Sequence, residues 1–191
     1  MPIRLTGDPA ADALLTDDAF ALLVAMVLDQ QIPLERAFAA PRLLRERLGG
    51  DLVVHDVATM DPDDLVALFS ASPALHRFPA SMAARVQRVA QMVVDGYDGD
   101  AANLWRMAPD GATLLARLRA LPGFGEQKAR IFVGLLGKQL GVTPPGWSDA
   151  AGAFGLPGTF VSVADIDGPE ALDRVRAYKQ SMKAAAKLAR P

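Results

Sequence analysis

Cysteine is absent from the 191 residues. That excludes disulfides, thiolate zinc sites, cysteine-held iron–sulfur clusters and a cysteine nucleophile. Histidine is scarce: His55 and His76 lie far apart with no ligand spacing around either, and each reads as a surface or capping residue. No HExxH segment, P-loop or G-x-S-x-G elbow occurs. Residues Met1 to Thr16 carry no basic region followed by an apolar core, so no signal peptide is expected. The apolar run Phe20 to Leu28 is too short to cross a bilayer. A cytoplasmic protein without a membrane partner is the expectation. Strand signals are confined to Leu52–Val54 and Phe160–Val163, and no internal repeat or low-complexity tract is visible.

What is present reads as helix. The chain is 51% hydrophobic and 22% charged, a globular composition with enough length for one domain or two small lobes. Asp8-Pro9 opens a helix from Ala10 to Leu15, with Asp8 as cap and proline at the first position. Asp17 or Asp18 caps Ala19 to Gln30, which is apolar nearly all round and so expected in the core. Pro33 marks the next start, and Pro41 predicts a kink or break within that element. Asp61-Pro62 opens a short helix to Phe69, and Ser81 caps a longer one carrying Met82, Val86, Val89 and Val93. The stretch Val142 to Val161 is rich in Gly and Pro and reads as loop. Asp167-Gly168-Pro169 opens a final helix bearing Arg174, Arg176, Lys179, Lys183 and Lys187.

Net charge is −2, but it is unevenly placed. Residues 1–100 carry 8 Lys/Arg against 15 Asp/Glu, and residues 101–191 carry 12 against 7. The basic half contains the most informative stretch, Leu121-Pro122-Gly123-Phe124-Gly125-Glu126-Gln127-Lys128-Ala129. An amphipathic run from Ala112 to Ala120 leads into it, and an apolar-rich run from Ala129 to Leu140 leads out. Glycine lets a backbone take positive φ and approach another molecule closely. The free N–H groups and dipole of the second helix point at the turn, a place suited to phosphate. Arg117, Arg119, Lys128, Arg130 and Lys138 surround it. A helix-hairpin-helix over residues 112–140 that grips a nucleic-acid backbone is therefore predicted. The plain alternative is a glycine turn that binds nothing. Trp147, in a Gly/Pro loop, would stack on a base or anchor the loop.

Three stretches resemble the helix-hairpin-helix DNA glycosylases of base-excision repair, the superfamily of endonuclease III, the adenine glycosylase and the alkyl-base glycosylases. They are Phe20 to Leu28 followed by Asp29-Gln30-Gln31, then Phe78 to Val86 leading to Leu118, then Leu121-Pro122-Gly123-Phe124-Gly125 with Ala129. The resemblance implies an all-α fold of two helical lobes with a cleft between them: residues 19–135, holding the hairpin, and residues 1–18 with 136–191. It implies base flipping and cleavage of the N-glycosidic bond in double-stranded DNA carrying a damaged or mispaired base. It implies a DNA-binding set of Gly123, Phe124, Gly125, Gln127, Lys128, Arg130, Gln30 and Gln31. Gln31 matches the glutamine that fills the gap left by the flipped base; a capping amide is the other reading. Lyase members carry a lysine two positions after the second hairpin glycine, where this chain has Gln127. Lys128 stands one residue on, about 100° around the helix, so base release without strand nicking is expected. The catalytic carboxylate is assigned to Asp149, with Asp165 as second choice; either would otherwise cap a helix. Relatives also imply a monovalent cation on the backbone of Leu121, Gly123 and Phe124. No other cofactor is expected, and no iron–sulfur cluster. The 15 Arg against 5 Lys hint at a bacterial source with a GC-rich genome. A nucleoid-associated location and a monomer are expected beside the resemblance. A catalytically inactive protein that binds distorted DNA, and a helical interaction protein with a structural G-F-G turn, are the competing readings.

Overall fold

The computed structural model describes residues 2–188. Among them it contains eleven α-helices, two short 3-10 turns and no strand, so the fold is all-α. The first six helices are α1 (Pro9–Asp17), α2 (Ala19–Leu28), α3 (Leu34–Leu48), α4 (Val54–Thr59), α5 (Pro62–Ser70) and α6 (Pro79–Gly96). The rest are α7 (Asn103–Arg106), α8 (Gly111–Arg119), α9 (Glu126–Leu140), α10 (Trp147–Ala151) and α11 (Pro169–Leu188). The 3-10 turns are Gly152–Gly155 and Val163–Asp165.

Aspartate caps set several starts. Asp8 accepts from the Ala10 N–H, Asp18 from Phe20 and Ala21, and Asp61 from Asp63 and Asp64. Asp110 caps α8 through Thr113, a hydrogen bond that holds its carboxyl below the ordinary carboxylate range. All nine residues from Phe20 to Leu28 are buried, which makes α2 the central post. Each large apolar side chain there contributes roughly 1.5–3 kcal/mol by burial. The helices α1, α3 and α6 pack on α2, and α4 and α5 pack on α6. Helices α8 and α10 and both 3-10 turns pack on α9, and the buried side chains form one connected core.

Several local expectations need correcting. Pro41 lies inside α3, which runs through it unbroken, with the ring buried among core residues. The long helix α6 begins at Pro79 rather than after Ser81, since proline suits the first helical position. Leu52–Val54 leads into α4, not a strand, and Val163 belongs to a 3-10 turn. The Gly/Pro-rich stretch after Val142 contains α10 and a 3-10 turn. Its glycines are packing points as much as turns: a Cβ on Gly155 would stand 2.7 Å from the Ser148 carbonyl oxygen.

Candidate nucleic-acid interface

Helices α8 and α9 form the two arms of the hairpin, joined by Ala120 to Gly125. Leu118 and Leu121 accept the N–H groups of Leu121 and Phe124, which tightens the turn. Gly123 has φ +86°, a value L side chains rarely take. Gly125 is the N-cap of α9; no side chain caps the helix, and nothing lies within 4 Å of where its Cβ would be. No side chain caps the first N–H groups of α9, and the positive end of the helix dipole lies behind the exposed Gly125. Phe124 points inward, 5% exposed, with its ring 6.0 Å from Phe132. It anchors the turn and does not reach out; of the Gly123-Phe124-Gly125 triplet only the glycines present an outer face.

The basic cluster is largely spent inside the protein. Arg119 and Arg130 both pair with Glu126, at 2.8 and 2.7 Å. Arg130 also donates to the Ala150 carbonyl at 2.8 Å, tying α9 to α10. Arg117 donates to the Leu104 carbonyl and stacks over Tyr97. Lys138 pairs with Asp165 at 2.5 Å. Lys128 Nζ donates to the Met26 carbonyl at 2.8 Å, closing the C-terminal end of α2. Burial pushes its ammonium below the usual lysine range; Arg85 adds to this and Asp29 opposes it. Beside the turn also stands Arg85, which the sequence did not single out. Arg85 lies against Gly123: a Cβ there would meet its Cδ at 3.5 Å.

Arg85 connects the turn to the glutamine pair. Its Nη1 donates to Gln30 Oε1 at 2.8 Å, while Gln30 Nε2 donates to the Val27 carbonyl at 2.6 Å. Gln30 is thus the capping amide. Gln31 is exposed with φ +58°, free to project outward. His76 is buried and holds this turn: its Nδ1 accepts the Phe78 N–H, so Nε2 carries the proton and donates to the Gln30 carbonyl at 2.8 Å. Phe78, 44% exposed with Arg77 over its ring, is held beside the glutamines by that bridge. An aromatic just before Pro79 was the signal available in the sequence.

The two carboxylates named from sequence have different settings. Asp149 is exposed on α10, near the α9 face that Arg130 clasps. Asp165 has a side chain only 2% exposed. It accepts from Lys138, Thr159 and the N–H groups of Val161 and Ser162, which is the bonding of a structural lock. Gln127 is exposed on the first turn of α9. Trp147 is the loop anchor: a Cβ on Gly137 would fall 2.2 Å from its ring. The Leu121 carbonyl already accepts one N–H, which leaves it one lone pair for a cation alongside those of Gly123 and Phe124. No helix among the described residues is long and apolar enough to cross a membrane.

Residues 24–190 match the family model described as HhH-GPD superfamily base excision DNA repair protein. No curated protein matches the chain, and no solved structure does. The match spans most of the chain, including α9 and the hairpin turn, and the chain belongs to that superfamily.

Proposed function

We propose that this member of the HhH-GPD superfamily is a monofunctional DNA glycosylase. It would act as a monomer on nucleoid DNA, extrude a damaged or mispaired base and hydrolyse its N-glycosidic bond. The observation that carries the reading is the uncapped N-terminus of α9 behind Gly125, set beside Arg85, Gln30 and the exposed Gln31. A phosphate at Gly123–Gly125 would place the duplex against Gln31 and Phe78. The lobes would be residues 19–135 and residues 1–18 with 136–191.

Base release without nicking is supported by the lysine geometry. Where a lyase lysine would stand, Gln127 is exposed and cannot form a Schiff base. The Lys128 amine is turned inward onto the carbonyl end of α2. In hydrolysis, Asp149 is the carboxylate assigned to activating water, by its place after the hairpin. A monovalent cation on the carbonyls of Leu121, Gly123 and Phe124 would stiffen the turn.

Duplexes carrying deaminated, oxidised, alkylated and mispaired bases test the proposal. The expected result is free base plus an intact strand with an abasic site. Release from none of them contradicts the reading, and direct strand scission contradicts its monofunctional part. Unchanged release by Asp149→Asn removes Asp149 from the mechanism. The exposure of Asp149 and the locked state of Asp165 favour one second reading, a DNA-binding protein without turnover. It predicts salt-sensitive binding and no released base.

A further inference from the structure

One half-buried carboxylate faces a cavity that no step above uses. Asp29 follows α2 directly and lines a cavity of about 390 Å³ between the α2–α3 connection and α11. The volume falls within the roughly 300–1,000 Å³ typical of small-molecule sites. Ile32, Leu34, Leu172 and Val175 give it apolar walls, and Lys179 and Lys183 stand exposed along it. Among the described residues, nothing donates a hydrogen bond to the Asp29 side chain. Burial pushes its carboxyl above the ordinary carboxylate range; Lys179 and Lys128 pull against this and Glu35 adds to it. Lys128 of the hairpin does not line the cavity, but its ammonium, held on the Met26 carbonyl, acts on Asp29 through space. A larger cavity of about 620 Å³ lies between residues 2–13 and the start of α11; no hairpin residue lines either cavity, but only the smaller one holds a side chain, Asp29, on which a hairpin charge acts.

Resting on the glycosylase reading, we propose that the Asp29 cavity receives the extruded base and that Asp29 reads it. The bases it selects carry a lactam or imide edge, an N–H beside a carbonyl, as in deaminated or oxidised bases. The ring N–H donates to the Asp29 carboxylate, and the neighbouring carbonyl oxygen accepts from Lys179 or Lys183. A base with a fixed positive charge is disfavoured, since the cations of Lys179, Lys183 and Arg176 outnumber the carboxylates of Asp29 and Glu35 around the cavity. The apolar walls hold the ring faces, and the polar edge decides identity. Such a site discriminates strongly, because a base lacking the edge leaves buried polar groups unpaired.

Two probes that differ by one methyl separate shape from edge. 1-Methyluracil keeps the imide N–H, and 1,3-dimethyluracil has no ring N–H. Titration of each into the full chain, followed by nuclear magnetic resonance, should shift Asp29 and Ile32 with 1-methyluracil and hypoxanthine. 1,3-Dimethyluracil should bind at least tenfold more weakly. Asp29→Ala and the double variant Lys179→Ala/Lys183→Ala should each weaken 1-methyluracil at least tenfold. Equal binding of the two probes, or no shift at Asp29, overturns the proposal. The wild-type comparison decides even if Asp29→Ala fails to fold. Binding of 1-methyluracil at Asp29 without base release from any duplex would leave the cavity assignment standing and sink the glycosylase reading. Base release without binding at Asp29 would do the reverse.

Discussion

The two ends of α9 use the same residue types for opposite purposes. At its N-terminal end Gly125 faces open space, and Gly123 holds a positive φ against Arg85. Nine and twelve residues after Gly125, Gly134 and Gly137 are buried contact points. Cβ atoms there would fall 2.6 Å from the Phe154 carbonyl oxygen and 2.2 Å from the Trp147 ring. Lysine divides likewise: Lys128 closes α2 near the turn, and Lys138 locks Asp165 under the C-terminal segment. The Gln139 amide completes that lock, its two N–H groups shared among the carbonyls of Val163, Ala164 and Ile166. A glycine or lysine therefore says little by type; what stands beside it decides whether it serves the fold or the interface.

Substitutions at the two ends should separate stability from DNA affinity. The largest expected loss is at the locked end. Asp165→Ala strands the Lys138 ammonium and should lower stability by about 3–5 kcal/mol in urea unfolding. Gly137→Ala forces Trp147 from its seat and should cost about 1–3 kcal/mol, with loss of tryptophan burial in fluorescence. If either keeps wild-type stability while losing DNA binding, the division between the ends is wrong. At the other end, Gly123→Ala must place an L side chain in the left-handed region, about 1–2 kcal/mol, and should also weaken duplex binding.

Asp29→Asn probes the region between. The carboxyl binds its proton more tightly folded than unfolded, so stability falls as pH rises from 3.8 through the folded-state value. Above that value the penalty is complete. Asparagine removes it, so the variant should melt higher than wild type at pH 7 and match it below the unfolded value of 3.8. A lower melting temperature at pH 7 would mean that the carboxylate supports the fold.

The helices with strong punctuation were legible in the sequence. Asp8-Pro9, Asp61-Pro62 and Gly168-Pro169 mark real starts, and the all-round apolar run of α2 became the buried post. Helix α4, six residues long, is too short to show a period, and α10 is hidden by flanking glycines. The hairpin was legible because its glycines serve a local turn. Its surroundings were not: the partner of Lys128 lies 102 residues away, and Arg85 meets Gln30 across 55. The same distance effect hid the pairing of Lys138 with Asp165, 27 residues on, whereas Glu126, the partner of Arg119 and Arg130, is local. Phe78 and Asp29 were within reach, one as an aromatic before proline and the other as a charge at the end of an apolar helix.

Gly125→Asp tests the central claim most directly. Aspartate is a favoured N-cap and its charge suits the helix dipole, so melting temperature should hold or rise slightly. The same carboxylate would sit where a phosphate is expected. Affinity for a duplex containing an abasic-site analogue, measured by fluorescence anisotropy at fixed salt, should fall at least tenfold. A folded Gly125→Asp protein that binds this duplex as tightly as wild type would contradict the assignment of the hairpin as the phosphate grip.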